Sequence, residues 1–328
     1  MPSRSGAYIE KGQTFADGWP KTVRVLVIGG CGFLGSHIVD RFLRDKWKVT
    51  VLDRRPEKFR KPLSAVQYVF DDFSNKVLLE EILSRGVDTV VHAASSVLPS
   101  QLNLDPQFDV QSNLLETLAL FQSCVKHKVK KVLFPSSGGT IYGRAQYIPI
   151  DENHPTNPVC SYGVVKLSIE KYLQLFSQLY GLRFAALRIS NPYGPRQDPH
   201  SSQGAVAVFL LKILASEKLA IWGDGGVVRD YVYVEDIAEL FYCAASSDVS
   251  GVFNAGSGSG VGLLDLVHHI GATVGAKPQF EFLPPRDFDV PTNVLNCAKA
   301  RTQFGWSPQI SLQDGLARSA EWQKIHVS

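Results

Sequence analysis

Apolar residues alternate between two rhythms over the first 190 positions. Residues 23–28 (VRVLVI) form a short, β-branched, near-continuous apolar run that stops at glycines. Phe33–Arg44 then carries apolar residues at helical spacing (Phe33, Leu34, Ile38, Phe42), and residues 48–52 return to a short apolar run. Strand, helix and strand within about 30 residues predict a βαβ unit. The alternation continues: residues 65–70, Thr89–His92, 131–134 and 184–189 read as strands, with helices over 75–84, 108–126 and Ser161–Tyr180. Strands that are apolar throughout are buried on both faces, so the pattern predicts an α/β fold with a doubly wound parallel sheet.

After about Ser190 the rhythm breaks. Pro192, Pro195, Pro199, Gly204, Gly223, Gly225 and Gly226 punctuate shorter elements, as Pro284, Pro285, Pro291 and Pro308 do later. The expected organisation is a first domain over 21–190 and a smaller region over 191–328 intertwined with it. Residues 1–20, with Lys11, Asp17 and Gly/Pro breaks, lack the pattern of a signal peptide and read as a loosely ordered extension.

Composition narrows the class. Hydrophobic residues at 45% and charged residues at 20% describe a globular chain rather than a disordered one. A net charge of +3 without a dense Lys/Arg tract speaks against a nucleic-acid partner, while leaving room for a local basic pocket. The five cysteines are far apart with no C-x-x-C pair, which predicts free thiols in a reducing, cytoplasmic compartment and no zinc. No apolar run approaches the roughly 20 residues that span a bilayer, so no membrane association is expected. The His268-His269 pair reads as surface or packing, and no metal site is expected.

Chemistry enters at the first glycines. Gly29, Gly32 and Gly35 follow a strand and open a helix, where the chain must turn sharply and bring backbone N–H groups to a pyrophosphate. Asp53 ends the second strand, placed to bond the adenosine ribose and to disfavour a 2′-phosphate, which predicts NAD. Arg54 and Arg55 beside it are the features that a 2′-phosphate could use. Asp71-Asp72, after the next strand, is suited either to the adenine edge or to a helix N-cap.

Tyr162 and Lys166 form Y-x-x-x-K at a helix start, and residues four apart share a helical face. A tyrosine is a poor base at its ordinary pKa of about 10. A neighbouring cation and an oxidised nicotinamide would both favour its phenolate. Upstream, SSGGTIYG runs from Ser136 to Gly143 at a strand's carboxyl end, where ligands gather in open α/β sheets. A hydroxyl there can orient a substrate oxygen or relay its proton.

These motifs resemble the extended short-chain dehydrogenase/reductase family, in its nucleotide-sugar epimerase/dehydratase branch and most closely its UDP-glucose (UDP-galactose) 4-epimerases. The matching pieces span nearly the whole chain: GGCGFLGSH, VLD, HAAS, SSGGTIYG, SYGVVK, LRISNPYGPRQ, IWGDGGVVRDYVYVEDIA, R-x-F-D-V-P and F-G-W-S-P. The resemblance implies a Rossmann-type sheet, NAD, and a smaller C-terminal region that binds a nucleotide sugar. It makes Tyr162 the general base, with Lys166 its partner and ribose anchor. Gly29, Gly32, Phe33, Leu34, Gly35, Asp53, Arg54, Asp72, Phe73, Ala93, Ala94, Asn113, Ser136 and Ile189 would complete the cofactor site, with His92 shaping it. Asn191 and Gln203 would meet the substrate, Arg229 and Arg286 would neutralise its diphosphate, and Phe209, Ile221 and Trp222 would frame the base. Asn293 holds the position that gates an N-acetyl pocket.

One position departs from the pattern. The residue that usually supplies the catalytic Ser/Thr is Gly138 here, so Thr140, or alternatively Ser137, would have to provide the hydroxyl. The dehydratases' acidic pair is also missing, since Gly139 and Thr140 occupy its place. Elimination without those carboxylates should lose on the order of 10²–10⁴ in rate. The expected reaction is therefore 4-epimerisation of a UDP- or dTDP-hexose through a transient 4-keto sugar. The alternatives are an NDP-4-keto-sugar reductase, a deoxysugar-nucleotide epimerase (dTDP-rhamnose, for instance), or an NAD-binding scaffold without turnover. Family members pair as homodimers through two helices, and Leu114, Leu115, Leu118, Leu173 and Phe176 would suit either that contact or burial against the sheet.

Overall fold

The computed structural model describes residues 8–9 (backbone only), 23–95, 105–201, 203–285 and 290–327. In chain order the first part comprises β1 (Tyr8–Ile9), β2 (Arg24–Ile28), α1 (Phe33–Arg44), β3 (Lys48–Asp53), β4 (Val66–Phe70), α2 (Lys76–Ser84) and β5 (Thr89–His92). Then come α3 (Pro106–Asp109), a π-helical turn (Val110–Leu115), α4 (Glu116–Lys126), β6 (Lys131–Ser137), α5 (Ser161–Tyr180) and β7 (Arg183–Ile189). The later elements are β8 (Asn191–Tyr193), α6 (Ala205–Leu214), β9 (Leu219–Trp222), β10 (Val228–Tyr233), α7 (Val234–Ala245) and β11 (Gly251–Ala255). The chain closes with β12 (Gly260–Gly262), α8 (Leu263–Val274), β13 (Phe280–Leu283), β14 (Thr292–Asn293), α9 (Ala298–Phe304) and α10 (Leu312–His326).

The main sheet runs β1-β4-β3-β2-β5-β6-β7-β11, and its pairs are parallel. The direction of strand addition reverses between β2 and β5, the switch point at which such sheets bind ligands. Successive residues of β2 serve opposite layers, as a period of two requires. Val25 and Val27 pack with Ile38 and Phe42 of α1 and Phe241 of α7, whereas Leu26 and Ile28 pack with Leu120 of α4 and Ile169 of α5. Burying one such aliphatic or aromatic side chain contributes about 1.5–3 kcal/mol. That two-sided demand explains the unbroken apolar runs. A third core joins α6, α8 and α10 to β9 and β10, through Leu210, Leu266, Leu316 and Ile221.

Two stretches differ from their sequence patterns. The helix expected over 108–126 is interrupted by the π-helical turn. Its inward face carries polar Asp109, Asn113 and Thr117, all buried, and each bonds the next: Asn113 Nδ2 donates to Asp109 Oδ1 at 2.9 Å, and Thr117 Oγ1 donates to the Asn113 carbonyl. Single π turns of this kind gather at functional sites. The strand at 131 runs on through Pro135 to Ser137. Alternation along β6 sends the Gly138 N–H to Ile189 and turns the Pro135 nitrogen toward β5, whose ladder with β6 has ended at Leu133. A proline there costs no ladder hydrogen bond.

Candidate active site

The dinucleotide turn is built by steric demand. A Cβ on Gly29, which has φ +81°, would lie 2.6 Å from the Ala94 nitrogen, and one on Gly35 would lie 2.1 Å from the Gly29 carbonyl. These glycines let β2, the segment after β5 and the start of α1 close on one another. Gly32 differs: it is exposed at the N-cap of α1 and a Cβ there would meet nothing nearer than 3.4 Å. Open space at a helix N-terminus suits a phosphate. The Cys31 N–H donates to Asp53 Oδ2 at 3.0 Å, fixing that carboxylate beside the turn.

Arg54 faces Asp72 at 3.7 Å in an exposed pair, so its charge is directed to a carboxylate. Asp72 also accepts the Ser74 N–H, and Asn75 caps α2, so the acidic pair works as the approach to that helix. Phe73 lies against His92, ring centroids 5.0 Å apart. His92 Nε2 bonds Thr117 Oγ1 at 2.8 Å while its Nδ1 is buried without a partner. Burial, then the Lys166 cation, pushes this histidine down to about 3, so it is a neutral wall.

Tyr162 and Lys166 project from the first two turns of α5 into a narrow pocket shared with His92, Asp109, Asn113 and Phe134. The Lys166 ammonium lies 5.5 Å from the Tyr162 ring centroid and 4.4 Å from that of Phe134, and it donates to the Pro135 carbonyl at 2.8 Å. Burial pushes Lys166 down to about 8, against the pull of Asp109 and Glu170. The same burial, with Cys160 and Asp109 adding to it, holds the Tyr162 phenol above its ordinary range. The expected lowering called for an oxidised nicotinamide beside Lys166, and without that cofactor burial governs the phenol. Lys166 is beside the ring, and burial is the largest influence on its phenol.

The hydroxyl-rich strand end is brought to the same helix. A Cβ on Gly163, next to Tyr162, would meet the Thr140 carbonyl at 3.0 Å. Thr140 Oγ1 is buried without a hydrogen-bond partner. Ser136 turns elsewhere: its Oγ donates to Glu170 Oε1 at 2.6 Å. Gly138 explains its own lack of a side chain, since a Cβ there would lie 2.6 Å from Leu295 Cδ1 and 3.0 Å from the Arg188 carbonyl. Ile189 is buried in the core and its carbonyl takes the Gly138 N–H at 2.7 Å.

Between β9 and β13, Trp222, Gly223, Leu283, Pro285 and Pro291 line an open cleft of about 670 Å³. Ile221 is fully buried in the third core, so any contact it made with a base would be through its backbone. Phe209 packs half-buried on the same core, and the Gln203 N–H bonds Ser201 Oγ at 3.3 Å. Arg229 donates to the Val228 and Val290 carbonyls at 3.0 and 2.7 Å, and Asn191 Nδ2 donates to the Asp230 carbonyl at 3.1 Å. Asn293 is buried, with its Nδ2 on the Gly138 carbonyl at 3.0 Å and its Oδ1 unpartnered. Arg286 lies outside the described residues.

Sequence reasoning gave no role to Asp109, Thr117, Phe134, Glu170 or Arg188. The polar series Asp109, Asn113, Thr117 at four-residue spacing in an otherwise apolar-faced segment was the available signal. Among the described residues no group of three or more His, Cys, Asp or Glu could hold a metal ion, and no helix is long and apolar enough to cross a membrane.

Fold and site together define a Rossmann-type enzyme of the tyrosine–lysine class. The chain belongs to the NAD dependent epimerase/dehydratase family, whose model matches residues 25–256. A putative UDP-glucose 4-epimerase of Methanocaldococcus jannaschii is 35% identical over 301 residues, covering 92% of this chain and 98% of its own. A UDP-glucose 4-epimerase of Thermotoga maritima, solved with UDP-glucose, superposes with a TM-score of 0.89 at 34% identity, covering 93% of this chain and all of that one. The UDP-glucose 4-epimerase of Thermus thermophilus, solved with NAD, gives 0.86 at 34% identity, with coverage of 92% and 99%.

Proposed function

We propose that this chain is an NAD-dependent nucleotide-sugar 4-epimerase acting on a UDP- or dTDP-hexose. The observation that carries the reading is the single pocket wall bearing Tyr162 and Lys166, with Thr140 backed onto the residue after Tyr162 and with Gly139 and Thr140 where eliminating relatives place an acidic pair.

The residues fit a dinucleotide: Gly32 leaves open space at a helix N-terminus and Asp53 is oriented by the Cys31 N–H. When bound, NAD supplies a hydride acceptor that becomes a donor once reduced. Tyr162 as phenolate takes the proton of the sugar C4 hydroxyl, and Lys166 stabilises that phenolate and anchors a ribose. Thr140, or Ser137, orients the same oxygen. The phenol returns the proton when the ketone is reduced on its other face. Asn191, Arg229 and Arg286 hold the diphosphate and Trp222 the base, so the hexose can turn while its carrier stays fixed.

The test is incubation of the purified protein with UDP-glucose, UDP-galactose, their N-acetylated counterparts and dTDP-hexoses. Expected are interconverted 4-epimers with no net change in NADH, and a Tyr162→Phe variant that keeps NAD but has no turnover. Stoichiometric loss of reduced cofactor would establish a reductase instead. NAD binding with no sugar converted would leave only the scaffold.

The proposal extends to a homodimer. Leu173 and Phe176 face the sheet core, while Val164, Tyr172, Leu175 and Leu179 form an outward apolar stripe on α5, with Leu115 exposed nearby in sequence to α4. A second copy covering this stripe would bury it as helix against helix. Leu175→Glu with Leu179→Glu should convert a dimer to a monomer in sedimentation. A wild-type monomer would refute the assignment. The five cysteines, of which Cys31, Cys124 and Cys160 are buried, are free, which suits a cytoplasmic setting.

A further inference from the structure

Asp109 is a buried carboxylate to which the reaction as described gives no task. It ends α3 where the π turn begins, and it lines the pocket that holds Tyr162 and Lys166. Its Oδ1 accepts from Asn113 Nδ2 at 2.9 Å and its Oδ2 from Ser161 Oγ at 3.0 Å. Both donors are neutral. The neighbouring acid, Glu170, is different: it closes on the Arg188 guanidinium at 2.7 Å, which offsets part of its pull on Lys166. The other titratable groups facing the pair are His92 from β5 and Cys160 before α5, both kept uncharged by burial. Lys166 is thus the cation that Asp109 faces, and Tyr162 is the acid whose ionisation it opposes.

We propose that Asp109 is a positioning residue of the Tyr162–Lys166 pair, its anion keeping Lys166 charged and Tyr162 a phenol until a bound oxidised dinucleotide brings compensating positive charge. This rests on the reading of Tyr162 as the base. The π turn serves the same end, because it delivers Asp109 and Asn113 to one wall. An anion beside a phenol raises the cost of phenolate, and beside an ammonium it lowers the cost of the cation. Removing it acts on both groups in the same direction: the phenol ionises at lower pH, and so does the ammonium.

The test is the pH profile of kcat/KM in wild type, Asp109→Asn and Asp109→Glu. In Asp109→Asn both limbs should move to lower pH by about one unit, and Asp109→Glu should restore them. A purely structural role for Asp109 would lower the height of the profile and leave its limbs in place, which overturns the proposal. A second readout needs no turnover: ultraviolet difference titration of tyrosinate against Tyr162→Phe, without cofactor. In wild type the Tyr162 phenol should ionise above the ordinary tyrosine value of about 10, and in Asp109→Asn at lower pH than in wild type. If Asp109→Asn does not fold, Asp109→Ser takes its place in this titration, and a Tyr162 ionisation no lower than in wild type overturns the proposal. Absence of epimerase activity in wild type would sink the functional reading, while this titration would still judge Asp109.

Discussion

Glu170 and Arg188 close a two-point ion pair, Oε2 to Nη2 at 2.7 Å and Oε1 to Nε at 3.0 Å, with both side chains almost wholly buried. Glu170 lies one helical turn beyond Lys166, and the pair is tied to Ser136 through Glu170 and to Tyr142 and Asn254 through Arg188. A buried pair is costly to break because the survivor is left as an unpaired charge. Glu170→Gln should destabilise the fold by about 3–5 kcal/mol in urea unfolding. Replacing both partners together (Glu170→Leu with Arg188→Met) should cost less than either single change. A double variant as unstable as the sum of the singles would mean that the two side chains are not coupled, which would overturn this account of the pair.

The glycines at the dinucleotide turn separate folding from binding. Gly35→Ala drives a methyl into the Gly29 carbonyl, backbone against backbone, and should cost about 1–3 kcal/mol or more of stability. Gly32→Ala meets no such wall. Its methyl enters the open space proposed for phosphate, so thermal stability should stay within about 0.5 kcal/mol of wild type while NAD affinity falls. Calorimetric NAD titration beside thermal melting reads both. Unchanged NAD affinity in Gly32→Ala would remove that residue from the site.

The sequence was legible wherever one local rule decided the outcome. The run 23–28 and the helix Phe33–Arg44 announce a βαβ unit because two-sided burial forces apolar continuity, and Ser161–Tyr180 ends at Gly181, whose left-handed φ of +69° suits a helix C-cap. Tyr162 and Lys166 were visible because their spacing is local. What escaped depends on tertiary placement. Glu170 and Arg188 look like ordinary charges in a helix and a strand until β6, α5 and β7 bring them together. The π turn at Val110–Leu115 was hidden because it follows from buried polar contacts rather than from apolar period. Spacing likewise reports a lysine beside Tyr162 and says nothing of how deeply the phenol is buried.

Two buried histidines oppose acid stability of the fold. His37 bonds the Pro195 carbonyl at 3.0 Å and is pushed down from 6.5 to about 4, mainly by burial and then by Arg196. His92 is pushed down from 6.5 to about 3 by burial and then by Lys166. Between each folded value and 6.5 the unfolded chain binds more protons than the folded one. Stability from this source is therefore fully present above pH 6.5 and falls as pH drops toward 4 and then 3, by about 1.4 kcal/mol per pH unit for each histidine. His92→Gln keeps a polar group toward Thr117 and takes up no proton. Urea unfolding at a series of pH values should show a shallower decline in this variant, and an equal slope would exclude His92 as a source.

Gly138 is where the family pattern and this chain part, and restoring the usual hydroxyl should not help it. A side chain at 138 would start 2.6 Å from Leu295 Cδ1 and 3.0 Å from the Arg188 carbonyl, and Asn293 already holds the Gly138 carbonyl from β14. Leu295 can shift, but the β7 backbone cannot. Gly138→Ser should therefore lose about 1–3 kcal/mol of stability without raising kcat. Thr140 presents the opposite case, a buried hydroxyl with no hydrogen-bond partner, backed onto the residue after Tyr162. Thr140→Ala removes an unsatisfied group, so the fold should tolerate it, while kcat should drop by about 10²-fold or more if that hydroxyl orients the substrate oxygen. Thr140→Ser should recover most of the loss. A Thr140→Ala enzyme with wild-type kcat would pass the role to Ser137, whose own alanine variant should then carry the defect.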